Sequence, residues 1–264
     1  MTKESSLRLL ALLVLVCLAT VPLVADQDYV ATSNGSFVQY DTLTGAYTVL
    51  GTNSTVLYGL GYSGGVLYAN DSGASPNVGF YIVNPANGAL TTVGNISGAT
   101  SGTGGMTAPM GGGTIYFFDH SNQLFTINPS TAAATTVGSL GFTVAGAWDI
   151  CFAANGQLYA TSNGFFYQID TTTGAATLLG DSGAQLQGLA PGEGTLYGFS
   201  GTSMYSIDLT DGALTFVRNT PSGLGNFENG TTVVTSTTPE PGTLLLVGTG
   251  ILGLLGAVRR RVSL

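Results

Sequence analysis

The chain has 264 residues, enough for one large all-β domain, and only 8% of them are charged against roughly 25% in an average globular protein. Forty glycines and an abundance of small polar residues favour short strands and tight turns over long helices. Thirteen acidic residues lie between Asp26 and Glu240 against one base, Arg218; a body of net charge −12 repels phosphate backbones, which excludes nucleic acid as a partner.

In chain order, the first element is a leader. Lys3 and Arg8 precede an apolar run from Leu9 to Ala19, too short to span a membrane comfortably. The pattern predicts a signal peptide over residues 1–25, with cleavage by signal peptidase after Ala25. Val16 stands before Cys17 where a lipobox needs a small residue, which argues against a lipoprotein. Removal of the leader leaves Cys151 as the body's single thiol, so no internal disulfide holds the fold.

Residues 26–234 carry one unit in five copies. Tyr29, Tyr68, Tyr116, Tyr159 and Tyr197 mark equivalent strands, spaced 39, 48, 43 and 38 residues apart. An Asx residue follows each, at Asp41, Asn84, Asn128, Asp170 and Asp208, and ten residues later comes Gly51, Gly94, Gly138, Gly180 or Arg218. The fixed spacing predicts a hairpin whose Asx side chain binds turn amides, so these acids read as structural rather than metal-binding. A further strand precedes each tyrosine from the second copy on, as in Asp149-Ile150-Cys151-Phe152. The first copy lacks it, and Gly223-Leu224-Gly225-Asn226-Phe227 is expected to supply it from the other end of the body. Four short strands per copy, closed in this way, predict a β-propeller of five four-stranded blades without exposed inner edges; an open solenoid is the alternative. With units such as Leu158-Tyr159 followed by Ile169-Asp170-Thr171-Thr172-Thr173-Gly174, the body resembles the NHL/YVTN/quinoprotein-like propeller superfamily. That resemblance implies the fold and leaves function open.

Departures from the unit are the candidate sites. Asp149 stands where the other copies align Gly59, Gly105, Gly188 and Gly223, and Trp148 precedes it. On a strand lining the central channel, the two form a candidate ligand-binding site, with a carboxylate for a cation or sugar hydroxyls and an indole as a stacking face. The competing reading is a hydrogen-bonded carboxylate that holds blades together. Cys151, aligned with Gly61, Thr107, Ala190 and Gly225, reads as a small buried residue. Arg218, in place of a glycine, is expected to pair with a carboxylate across the closure seam. A longer second copy, with 16 residues from Tyr68 to Asn84 against 11 or 12 elsewhere, predicts an enlarged loop around 72–76. With His120 as the single histidine, a catalytic zinc site of His and Cys ligands is out of reach, and no phosphate loop or nucleophile elbow occurs. No catalytic residue, metal or cofactor is assigned. Asp149 and Glu228 approaching in space is the one arrangement that would favour a glycan hydrolase or lyase.

A polar linker, 235–238, leads to Pro239-Glu240-Pro241, an apolar stretch from Thr243 to Val258, and Arg259-Arg260-Arg261. As a helix the 16 apolar residues reach about 24 Å, and the arginines extend that reach and hold their end in the cytoplasm. In composition and order, residues 239–264 resemble the PEP-CTERM sorting signal of Gram-negative bacteria. The resemblance implies an exosortase as processing partner, acting near Pro239, Glu240 and Pro241. It also implies membrane anchoring by the helix before processing, then display at the cell surface or in an exopolysaccharide or biofilm matrix. The expected function is a binding or scaffold propeller; a propeller enzyme using channel carboxylates and a ligand-free coat protein are the alternatives.

Overall fold

Turn chemistry sets the strand pattern. Asp170 Oδ1 accepts the backbone N–H of Thr172 at 2.7 Å and the Thr172 hydroxyl at 2.6 Å, and Gly174 then takes φ = 78°. Asp41, Asn84, Asn128 and Asp208 accept turn amides in the same way. The left-handed position is glycine in four of these turns; in the third it is Ala132, at φ = 58°.

The structure, a computed structural model, describes residues 27–73, 77–99, 104–192 and 194–233. The expected leader (1–25), the linker (235–238), and the tail with Pro239, Glu240, Pro241, Arg259, Arg260 and Arg261 lie outside the described residues. Among the described residues no helix is long and apolar enough to cross a membrane.

Five antiparallel four-stranded sheets form the blades. Blade 2 consists of β4 (Leu57–Ser63), β5 (Val66–Asp71), β6 (Gly79–Val83) and β7 (Leu90–Asn95). Blade 3 consists of β8 (Met106–Thr107), β9 (Ile115–Phe118), β10 (Gln123–Ile127) and β11 (Ala134–Ser139). Blade 4 consists of β12 (Trp148–Phe152), β13 (Leu158–Ser162), β14 (Phe165–Ile169) and β15 (Ala176–Asp181). Blade 5 consists of β16 (Gly188–Gly192), β17 (Thr195–Ser200), β18 (Ser203–Ile207) and β19 (Leu214–Asn219). Blade 1 joins both ends of the body, in the order β20 (Phe227–Val233), β1 (Gln27–Thr32), β2 (Ser36–Tyr40) and β3 (Tyr47–Thr52). The inner strands touch in the order β20, β4, β8, β12, β16 and back to β20, which closes a five-bladed propeller.

Closure follows the predicted scheme with one correction. The strand that completes blade 1 is Phe227–Val233, not Gly223-Leu224-Gly225-Asn226-Phe227. Gly223 and Gly225 have φ of 90° and 73°, a turn conformation, and the Gly223 carbonyl accepts Asn34 Nδ2 at 2.9 Å. The residue in register with Asp149 is therefore Asn229, and Thr231 takes the register of Cys151: Asn229 pairs with Ala31 as Asp149 pairs with Thr161.

The core consists of five apolar clusters, one at each seam between neighbouring blades. Four of the marker tyrosines are buried in it, and Tyr29, Tyr68 and Tyr159 stack on Phe37, Phe80 and Phe166 at 5.2–5.3 Å. The tyrosine spacing thus records packing. Strand 4 of each blade carries a β-bulge against strand 3, as between Phe166 and Tyr167, which twists the edge strand away from its partner direction. Near these bulges the glycines admit the next blade's turn. A Cβ on Gly51, Gly138 or Gly180 would meet a carbonyl oxygen of Asn87, Thr173 or Asp211 at 2.0, 2.0 and 1.9 Å. At the last seam Arg218 takes this place. Its guanidinium Nη2 donates to the Leu43 carbonyl, and its charge helps lower the Asp41 carboxyl, after the Thr44 hydrogen bonds.

The twenty strands of the described residues and the closing seam lie within Asp26–Val234, one compact unit that carries its own core, the property that lets a segment fold by itself.

Candidate functional site

The inner strands all run in one direction, so equivalent residues form layers across the ring. Asp149, Asn229, Gly59, Gly105 and Gly188 make one layer. Asp149 is fully buried, and its carboxylate is filled by protein donors. Oδ1 accepts Ile150 N–H and Asn229 Nδ2, both at 2.7 Å; Oδ2 accepts Leu189 N–H at 2.6 Å and Asn229 Nδ2 at 2.8 Å. Asn229 Oδ1 accepts Leu60 N–H at 2.8 Å, so the pair links blades 4, 5, 1 and 2. Asn70, whose Oδ1 would lie 2.3 Å from a Cβ on Gly59, extends the layer to blade 3 by donating to the Gly104 carbonyl at 2.8 Å. Burial pushes the Asp149 carboxyl well above the usual carboxylate range, against the pull of these hydrogen bonds. Asp149 therefore ties blades together at the ring axis. Cys151, also fully buried, packs two residues further along the strand.

The preceding layer is different in kind. It holds Glu228, Tyr58, Gly104, Trp148 and Gln187, one from each blade, at the end where the inner strands begin. Two of these are bulge residues. The β1–β20 register passes from Ala31↔Asn229 to Thr32↔Phe227, leaving Glu228 unpaired. The β4–β5 register passes from Leu57↔Asp71 to Gly59↔Asn70, leaving Tyr58 unpaired. A bulge re-aims its extra side chain, and here both occur where the strands open to the ring's mouth.

Tyr58, Trp148, Gln187 and Glu228 are all half-buried. The Tyr58 ring stacks across the mouth on Trp148, with centroids 6.1 Å apart and planes at 29°. Phe118 and His120 approach Trp148 edge-on, at 5.8 and 5.3 Å. Trp148 leans over blade 3, where the layer has only Gly104; a Cβ there would meet the Phe118 carbonyl oxygen at 1.8 Å. Burial raises the Glu228 carboxyl to about 7. It lies near enough to raise both the Tyr58 phenol, after burial of that ring, and Asp149. Asp149 and Glu228, whose approach the sequence leaves open, lie near enough to interact, but Asp149 is sealed and Glu228 is half-buried in the layer above it. Glu228 accepts no hydrogen bond from the described residues.

The loops joining strands 2 and 3 of each blade rise at this same end, since Ser162 at the end of β13 pairs with Trp148 at the start of β12. Four are short (32–36, 118–123, 162–165, 200–203); in blade 2 the connection runs from 71 to 79, where the sequence predicts the enlarged loop, and its residues 74–76 lie outside the described residues. Asp71 anchors the enlarged loop: Oδ1 accepts Gly73 N–H at 2.9 Å and Gly79 N–H at 2.7 Å, and Oδ2 accepts the Tyr81 hydroxyl at 2.8 Å. Burial, then Asp71, push the Tyr81 phenol up to about 12. A shallow cavity of about 350 Å³ lies elsewhere, on blade 4, lined by Gln157, Gln168, Asp170 and Thr177. Its amides already bond each other, Gln168 Nε2 donating to Gln157 Oε1 at 2.9 Å, and it offers no aromatic face.

Of the two sequence-predicted residues, Trp148 lies at the mouth and Asp149 in the sealed layer below it. Tyr58 and Glu228 join Trp148 through bulges that no residue pattern announces. Among the described residues no group of three or more His, Cys, Asp or Glu side chains is placed to hold a metal. No curated protein matches the chain. Residues 237–261 match the model of the PEP-CTERM protein-sorting motif, and a chain bearing that motif is an exported, cell-surface protein sorted by an exosortase.

Proposed function

We propose that the protein is a surface-displayed saccharide-binding propeller, delivered by a leader over residues 1–25 and processed at Pro239-Glu240-Pro241. The apolar stretch ahead of Arg259, Arg260 and Arg261 anchors it in the membrane until then. An extracellular polysaccharide of the biofilm matrix is its partner. The observation that carries this reading is the half-buried Trp148–Tyr58 pair at the ring's mouth, on the face that also bears the enlarged 71–79 loop. Aromatic faces flanked by a carboxylate and an amide are what sugar rings require, because their C–H faces stack and their hydroxyls seek acceptors. Binding without turnover is favoured because Asp149 has no free oxygen, which leaves Glu228 without the second carboxylate that glycoside cleavage needs.

A glycan array probed with residues 26–234 tests the binding role. Saturable binding that is weakened in both Tyr58→Ala and Trp148→Phe, with unfolding midpoints near that of the parent, supports it. Full binding by both variants, or none by the parent, contradicts it. Replacing Pro239, Glu240 and Pro241 by alanine is expected to abolish surface retention; unchanged processing would refute the sorting assignment.

A further inference from the structure

The mouth holds a carboxylate, Glu228, that accepts no side-chain hydrogen bond among the described residues. Every other buried or bridging acid of the inner ring is served: Asp149 accepts from Asn229, Ile150 and Leu189, and Asp28 accepts Thr42 Oγ1 at 2.9 Å and Thr232 Oγ1 at 2.6 Å. Glu228 alone among these acids is the extra residue of a bulge in the mouth layer, near the Tyr58 ring that stacks on Trp148, and it has no hydrogen-bond donor among the described residues. The body's one cation, Arg218, is committed to the Leu43 carbonyl on the outer turn of blade 1. A carboxylate beside an aromatic ring, in a body (residues 26–234) of net charge −11, is matched by a positive group that also presents an apolar surface.

We infer that the mouth selects a sugar unit bearing a free ammonium group, a hexosamine that is not N-acetylated, with its amine on Glu228 and its ring face on the Trp148–Tyr58 pair. This rests on the saccharide reading of the mouth and narrows it to one chemical class. An acidic polysaccharide would bring like charge to Glu228 and to the body as a whole. A neutral or N-acetylated sugar would cover Glu228 and supply no charge to offset its burial. An ammonium supplies that charge, and charge-assisted hydrogen bonds are the stronger kind.

The test is calorimetric titration of residues 26–234 with three tetrasaccharides: β-1,4-linked glucosamine, its fully N-acetylated counterpart, and β-1,4-linked glucose. The glucosamine tetramer is expected to bind at least about tenfold more tightly than the other two, the factor one partly desolvated ion pair supplies. Glu228→Gln, which keeps shape and removes charge, is expected to erase that preference while leaving weak binding of all three. Equal binding of the three sugars overturns the inference and leaves the saccharide site standing. A glucosamine preference that survives in Glu228→Gln also overturns it, since attraction to the acidic surface at large then accounts for the preference. No binding of any of them, with no array hit, removes the saccharide reading itself.

Discussion

The two ends of the ring solve different problems with the same strands. At the end of the Asx turns, five nearly equivalent turns are satisfied locally, and each seats against the outer strand of the preceding blade. At the opposite end the blades diverge. The first layer of the inner strands has five different residues, two of them bulged, and blade 2 adds the 71–79 loop. Uniformity at one end fixes the blade spacing, and on that frame the other end carries side chains that differ from blade to blade. Glu228 shows this most clearly, as a half-buried carboxyl without a hydrogen-bond donor among the described residues.

The comparison breaks hardest at the layer that separates the two ends. Asp149→Ala leaves Asn229 Nδ2 and the Leu189 and Ile150 amides without their acceptor, and should cost roughly 3–5 kcal/mol in urea unfolding of residues 26–234. A loss below about 1 kcal/mol would mean that the Asp149–Asn229 link does not hold the ring.

At the turn end, Gly180→Ala places a methyl 1.9 Å from the Asp211 carbonyl oxygen and should cost about 1–3 kcal/mol. Gly94→Ala, the equivalent change in blade 2, meets only the Ala132 methyl at 3.7 Å and should stay within about 0.5 kcal/mol. Equal costs at the two glycines would show that seam contacts do not set the turn end's uniformity.

At the mouth, pH sharpens the contrast. Glu228 has a folded pKa of about 7, above its ordinary value of 4.5, so the folded state binds more protons than the unfolded state between those values. Stability should therefore fall as pH rises from about 5 to 8, and Glu228→Gln should make the fall shallower, the remainder coming from the Asp149 carboxyl, which burial also raises. Asp41, Asp170 and Asp208 at the turn end work the other way: their lowered pKa values contribute stability that is lost only as pH drops through the acid range. A stability that rises from pH 5 to 8 would contradict the burial of Glu228.

Much of the fold is legible in the sequence because its markers are packing and turn residues that recur. The tyrosines stack at the seams, and the ten-residue Asx-to-glycine spacing is one hairpin. The closing strand is legible only in outline. Gly223-Leu224-Gly225 imitates the Gly-Leu pattern of Gly59-Leu60 and Gly188-Leu189, whereas the strand that closes the ring, with Asn229-Gly230-Thr231-Thr232, lacks that pattern because two of its polar side chains bond inward to Asp149 and Asp28. Trp148 and Asp149 stand out as breaks in the unit, but which of them is sealed depends on a donor 80 residues away. Tyr58 and Glu228 are brought to the mouth by register shifts, which depend on strand pairing and leave no mark on composition or spacing.

Trp148 is the chain's single tryptophan, so its fluorescence reports on the mouth alone. Titrating residues 26–234 with the glucosamine tetramer should shift Trp148 emission saturably, with a midpoint equal to the calorimetric one and lost in Tyr58→Ala. Emission unchanged at ligand concentrations that saturate the calorimetric signal would place the binding site elsewhere and contradict the account.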